Sequence, residues 1–209
     1  MKALVVGALG VNCYILHEEG SKEAIAIDPG GSEETIWQYI QKDGLNLKAI
    51  LNTHAHADHI GAIDFLREKT GAKLYIHEAD APMLLDARKN LSAFMGVPIM
   101  TRPANTLLKG GEVLEIGGMK FTVLHTPGHS PGGVCYLMED RVFSGDTLFA
   151  ESVGRTDFPG ASSQDLLTSI KEKLMTLPDE LVVYCGHGPA TTIGHERKCN
   201  PYINGFGFM

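Results

Sequence analysis

Cysteine, positive charge and long apolar runs are all scarce in this 209-residue chain, and each shortage closes a class of function. The four cysteines, Cys13, Cys135, Cys185 and Cys199, form no CxxC pair and no disulfide framework, so reduced thiols in a cytoplasm are expected. Lysine and arginine number 18 against 25 acidic residues, giving a net charge of −7. Without a basic stripe to hold phosphates, no nucleic-acid partner is expected. No apolar run reaches transmembrane length, so no membrane partner is expected either. The start, MKALVVGALGVNCYILHEEG, sets Lys2 before an apolar stretch in the manner of a secretion signal. Asn12 interrupts that stretch and no small-residue cleavage site follows, so two strands are expected there instead. Linkers, internal repeats and low-complexity segments are also missing. Residues 1–209 therefore read as one domain, and 44% apolar with 21% charged residues suits a globular core.

What the chain does have is THAHADH at 53–59, which gathers His54, His56, Asp58 and His59. Three imidazoles and a carboxylate within six residues are costly in a core. They are also the borderline donors that Zn(II), Fe(II) and Mn(II) accept. KAILNT (48–53) before the cluster is β-rich, and IGAIDFLREKT (60–70) after it has apolar residues at helical spacing. The cluster thus sits on a strand-to-helix loop, where open α/β folds collect ligands. Three other strand ends offer more donors. FTVLHTPGH presents His129, RVFSGDT turns at Gly145 into Asp146, and LVVYCGHG sets His187 between Gly186 and Gly188. Each donor lies beside a glycine, as close backbone approach requires. Taken singly, each histidine reads as a structural residue; their joint pattern reads as metal binding. His125, across the Pro-Gly turn from His129, reads as a strand residue supporting a ligand. His17, His77 and His195 have no partner pattern, and Cys185 reads as a buried strand-end thiol.

Strands are expected near 2–8, 11–17, 22–27, 48–52 and 73–77, then near 112–116, 119–125, 133–138, 141–144 and 181–184. Helices are expected near 33–43, 59–70 and 163–175. Ser162 or Ser163 would cap the last, and Leu166, Leu167, Ile170 and Leu174 would form its inner face. Segment 83–105, with Phe94, Met95, Val97 and Ile99, reads either as an apolar lid or as a short helix packed on the core. Periodicity alone gives a mixed α/β protein.

The motifs HxHxDH, TPGH, a strand followed by GD, and a late GHG resemble the metallo-β-lactamase superfamily. Within it the chain looks like the glyoxalase II-type hydrolases. The likeness runs from VNCYI (11–15) and IDPGG (27–31) through SVGRTDFPG (152–160) to HERKCNPY (195–202). It implies a four-layer αββα sandwich with the metals at one open edge. It also implies two divalent metal ions, zinc first, with iron or manganese as alternatives. One would be held by His54, His56 and His129, the other by Asp58, His59 and His187, with Asp146 bridging them. Full-length glyoxalase II enzymes add a helical carboxy-terminal domain that grips glutathione. Only 22 residues follow His187 here, so the likeness is to a short form and leaves glutathione specificity unsupported.

Paired metals lower the pKa of bound water toward neutrality. A metal-bridging hydroxide would then attack a carbonyl of a small-molecule substrate, with Asp58 and Asp146 fixing its position and a metal holding the oxyanion. An amide nitrogen needs a proton to depart, and no acid stands out to give one. A thiolate, whose conjugate acid has a pKa of about 8.5, leaves unaided, so thioester hydrolysis is expected. Arg155 in GRTDF is the candidate for substrate contact, with Asp157 as its competing partner. The Arg197-Lys198 pair reads as solvated surface. GRTDF also resembles the persulfide dioxygenases of the same superfamily, whose single iron would here take His54, His129 and Asp146. A non-enzymatic metal-binding protein is the third reading.

Overall fold

Alternation in the central strands dictates the layering. In EAIAI at 23–27, Ala24 and Ala26 point one way and Ile25 and Ile27 the other, and all four are buried. Such a strand needs apolar cover on both faces. The structure, a computed structural model, describes residues 1–204. Its first sheet runs β1 (Lys2–Val6), β2 (Val11–His17), β3 (Glu23–Ile27), β4 (Asn46–Leu51), β5 (Lys73–His77) and β6 (Thr106–Leu108), in that spatial order. β1 to β3 pair antiparallel and β3 to β6 parallel. The chain then builds β7 (Val113–Ile116), β8 (Met119–His125), β9 (Val134–Leu137) and β10 (Arg141–Gly145). A small ribbon follows, β11 (Leu148–Phe149) with β12 (Ser152–Val153), and then β13 (Val182–Cys185) and β14 (Thr191–Thr192). The second sheet has the order β7-β8-β9-β10-β13-β14, with β10 and β13 parallel.

The two sheets pack face to face. Tyr14, Leu16, Ile25, Ile27 and Leu51 of the first meet Phe121, Val123, Tyr136 and Phe143 of the second. α1 (Glu33–Lys42) and α3 (Ile63–Thr70) cover the outer face of the first sheet through Ile36, Ile40, Ile63 and Leu66. α4 (Ser163–Ser169) and α5 (Ile193–Cys199) cover the second, where Leu166 and Ile193 pack with Cys135, Val183 and Cys185. The expected αββα sandwich is the fold. Burying one leucine or isoleucine stabilises by roughly 1.5–3 kcal/mol, well above helix or strand propensity differences, so layer packing decides where elements form.

Several boundaries differ from the sequence reading. The helix expected over 59–70 is two, α2 (Ala57–Ile60) and α3, because the Ala62 N–H donates to the Pro29 carbonyl (2.9 Å) and breaks the run. The helix expected over 163–175 is α4 followed by a π-helical stretch, Ile170–Leu174. Ser162 caps it by accepting from Asp165 N at 3.2 Å, while Leu167 is only half-buried. β6, the β11–β12 ribbon, β14 and α5 lie where no element was expected.

Candidate metal centre

Every donor picked out by the motifs follows the carboxyl end of a strand, and all these ends open on one rim of the sandwich. His54 and His56 leave β4, with Asp58 and His59 just inside α2. His129 follows β8, Asp146 follows β10, and His187 follows β13. Backbone lacing brings the loops together. At the end of β3, Asp28 accepts from Thr53 N (2.7 Å) and Thr53 Oγ1 (2.6 Å). Asn52 Nδ2 donates to the carbonyls of His54 and His59, folding the loop onto itself. Asp80 is fully buried and accepts from Ala55 N (3.1 Å), Ser130 Oγ (2.7 Å) and Gly132 N (2.6 Å), tying the His54–His56 loop to the His129 loop. Asn12 Nδ2 and the Tyr14 hydroxyl both donate to the Cys185 carbonyl, at 3.0 and 2.7 Å, so VNCYI of the first sheet fastens the His187 loop of the second. Gly186 is demanded by space, since a methyl there would overlap Asp146 Oδ1.

These ties aim the imidazoles. His54 Nδ1 donates to Thr53 Oγ1 (3.1 Å), and His129 Nδ1 donates to the Arg155 carbonyl (2.7 Å). His59 Nδ1 stands 3.0 Å from Asp28 Oδ2, an ion-pair distance without hydrogen-bond alignment. In His54 and His129 the outer nitrogen is thus occupied, and the inner one is left for a ligand. His56 Nδ1 and His129 Nε2 come within 2.9 Å of each other. The inner atoms fall into three overlapping groups, each with its atoms within 4.8 Å: His54, His56 and His129; His54, His59 and Asp146; Asp58, His59 and His187. Asp146 lies between them, its Oδ1 3.3 Å from His59 Nε2 and its Oδ2 3.6 Å from His129 Nε2 and 3.7 Å from His187 Nε2.

The donor chemistry fits divalent cations. His54 Nε2, His59 Nε2 and Asp146 Oδ1 are buried without a hydrogen-bond partner. Each such group costs roughly 1–3 kcal/mol, and three side by side are the mark of a ligand set. Burial and the neighbouring histidines push His54 far down, and burial with His129 takes His56 to about 3, so both offer lone pairs. Burial opposes ionisation of Asp58, but the His187 hydrogen bond (3.1 Å) and the charges of His59 and His187 together outweigh it and hold the carboxyl below its usual range. His59 shows the opposite balance. Burial favours its neutral form, yet the charges of Asp146 and Asp28 raise its pKa well above the ordinary value. A field that keeps a proton on a buried imidazole also suits a metal ion.

The cleft above these atoms, about 680 Å³, is lined by Leu9, Leu91, Phe94, Met95, Phe149 and Phe158, with Arg155 at its edge. Arg155 Nε and Nη2 donate to Asp157 (3.0 and 2.8 Å), and the guanidinium lies over the Phe158 ring at 4.5 Å. Segment 83–105 divides between the two expected roles. Met83 and Leu84 enter the core, while Leu91, Phe94 and Met95 form a cleft wall, held by Asn90 through Met83 and Ile99 carbonyls. His125 does not support a ligand: it donates to the Pro131 carbonyl and stacks on His77 at 3.9 Å. Arg197 donates to the carbonyls of Met175 and Leu177 and pairs with Asp179, so it fastens α5. Cys185 is buried in the helix-side core. Sequence reading passed over Asp80 and Asn90, which carry no motif. Asp28, Asn12 and Tyr14 stood in quoted strings without an assigned role.

Comparison with known proteins agrees with this geometry. A family model described as the metallo-beta-lactamase superfamily matches residues 6–187. The chain is 44% identical to the probable metallo-hydrolase YqgX of Bacillus subtilis and 35% identical to the hydroxyacylglutathione hydrolase GloC of Haemophilus influenzae, in both cases over 98% of each chain. Among solved structures, BLEG-1 B3 metallo-beta-lactamase superposes with a TM-score of 0.93 at 43% identity, covering 97% of this chain and 98% of that one. TTHA1623 in a di-iron-bound form gives 0.86 at 39%, covering 97% and 100%. ETHE1 from Myxococcus xanthus gives 0.83 at 32%, covering 98% and 84%.

Proposed function

The chain belongs to the metallo-beta-lactamase superfamily, and from that premise we propose that it is a thioester hydrolase with a dinuclear centre. The observation carrying this reading is the Asp146 carboxylate, which lies within 3.7 Å of His129 from one donor group and of both His59 and His187 from the other. Asp58, His59 and His187 would make a second group as complete as His54, His56 and His129. When bound, two divalent cations, zinc on this reading, supply an activated water and a rest for the developing oxyanion. Asp58 is held ionised beside His187, so it could both ligate and accept a hydrogen bond that fixes the position of the attacking water. The outer ties from Thr53, Asp28 and the Arg155 carbonyl keep the imidazoles from rotating during turnover.

The cleft also bears on the leaving group. Its titratable lining residues are the proposed metal ligands His56, Asp58, His129, Asp146 and His187, together with Arg155, which is paired with Asp157. Among the described residues none is a free acid suited to protonating an amide nitrogen, whereas a thiolate needs none. The likeness to GloC supports the same choice, and that to BLEG-1 makes a β-lactam the informative comparison substrate. Elemental analysis of the purified protein, paired with thioester and nitrocefin hydrolysis, tests the reading. Two metals per chain and faster thioester turnover are expected. A single iron with oxygen uptake on glutathione persulfide would assign a dioxygenase instead, and the di-iron form of TTHA1623 makes iron the competitor to zinc.

A further inference from the structure

The walls of the cleft carry information that the metal donors do not. Leu9, Leu91, Phe94, Met95, Phe149 and Phe158 supply the apolar lining, and Phe158 stands against His56 and His129, with ring centroids 5.3 and 5.9 Å away. Several of these side chains stand open to solvent: Phe94 is 76% exposed, Leu9 56% and Met95 46%. Exposed apolar groups concentrated at one mouth mark a surface that something apolar covers. Positive charge is missing there. Arg155 is the sole lysine or arginine lining the cleft among the described residues, and its guanidinium is taken up by Asp157 and the Phe158 face. A tripeptide thiol with two carboxylates would find no free cation at these walls.

We propose that the cleft selects thioesters whose acyl group is an apolar chain or ring, with recognition by burial of that group against Leu91, Phe94 and Met95. This rests on the thioester-hydrolase reading above and adds the substrate class. In the reaction water adds to the acyl carbon and the C–S bond breaks. A carboxylic acid and a thiol leave, so no outside oxidant or reductant is needed. Continuity with the donor cluster fixes the occupant: His56, Asp58, His129, Asp146 and His187 form the floor of the same cleft, so the carbonyl rests on the donors while its substituent meets the apolar walls.

The test is a series of acetyl, butanoyl, hexanoyl and octanoyl thioesters of N-acetylcysteamine, an uncharged thiol, read with the metal-loaded protein. Full burial of a methylene changes kcat/KM by roughly fourfold, so octanoyl should exceed butanoyl by at least about tenfold. S-lactoylglutathione should fall below octanoyl by a similar factor. Phe94→Ser with Met95→Ser replaces exposed side chains and should lower the octanoyl-to-acetyl ratio about tenfold. A flat or falling series in protein that turns over the acetyl ester would overturn the proposal while leaving the hydrolase reading intact. If no thioester is cleaved, the hydrolase reading fails, and calorimetric titration decides the cleft by itself. Octanoate binding about tenfold tighter than acetate, lost in the double variant, would uphold apolar selection; equal affinities would refute it.

Discussion

Replacing Asp80 by alanine should separate the loops that carry His54, His56 and His129. The carboxylate accepts three hydrogen bonds in a fully buried position, two of them from the backbone N–H groups of Ala55 and Gly132. Each orphaned buried N–H costs roughly 1–3 kcal/mol, partly offset because the variant no longer buries a carboxylate, which leaves about 3 kcal/mol. At about 2–4 °C per kcal/mol for a chain of this size, the melting temperature should fall by roughly 6–12 °C. Bound metal adds stability by mass action, so the measurement belongs in chelator-treated and metal-loaded protein separately. Metal content should fall as well, since His129 and the His54–His56 pair would no longer share a fixed separation. Asp80→Asn keeps an acceptor for Gly132 but turns an amide toward the Ala55 N–H, and should lie between. If Asp80→Ala melts with wild type and keeps its full metal complement, Asp80 does not hold the loops together.

Four further outcomes are expected. Asp58→Ala should lower thioester hydrolysis by more than the roughly 10- to 100-fold that loss of an outer hydrogen bond brings, with an unchanged circular dichroism spectrum; retained turnover would contradict the dinuclear reading. Gly186→Ala puts a methyl onto Asp146 Oδ1, so metal stoichiometry by elemental analysis should drop below two. Cys185→Ser buries a hydroxyl among apolar side chains and should cost about 1–3 kcal/mol in thermal unfolding while metal content holds; lost metal would make the thiol a ligand. His59 and His187 have raised pKa values, from the charges of Asp146 and Asp28 and from the Asp58 hydrogen bond respectively, whereas burial keeps His54 and His56 neutral. A raised histidine must shed its proton to bind metal. Stoichiometry should therefore fall from about two toward about one per chain as the pH is lowered, with the His59–His187 group emptying first, and loss of both together would refute this.

The cluster that the structure brings together at the rim was legible as a candidate donor set because metal chemistry restricts residue types and the strand ends supply the spacing. HxHxDH with His129, Asp146 and His187 needed no knowledge of contacts. The central layers were legible for a similar reason: in EAIAI and MKFTVLH the apolar residues fill the faces that the sheets bury. The supports were not. Asp80 is a single polar residue whose partners Ser130 and Gly132 lie far along the chain, and Asn90 bonds nearby carbonyls of a segment that carries no regular period. Helical spacing across 59–70 hid the break at Ala62, because the cause is a bond to Pro29 from another loop. Two-residue strands such as β14 exist only through their neighbours, and no local period announces them.

Residue 155 does two unrelated jobs with two different parts. Its carbonyl pins the His129 ring, while its guanidinium leans outward on Phe158 and Asp157. Any amino acid able to adopt the same backbone path could keep the ring pinned, so descendants of this chain are free to redraw the charge at the cleft's edge without dismantling the centre beneath it. A site arranged this way can change clientele one side chain at a time.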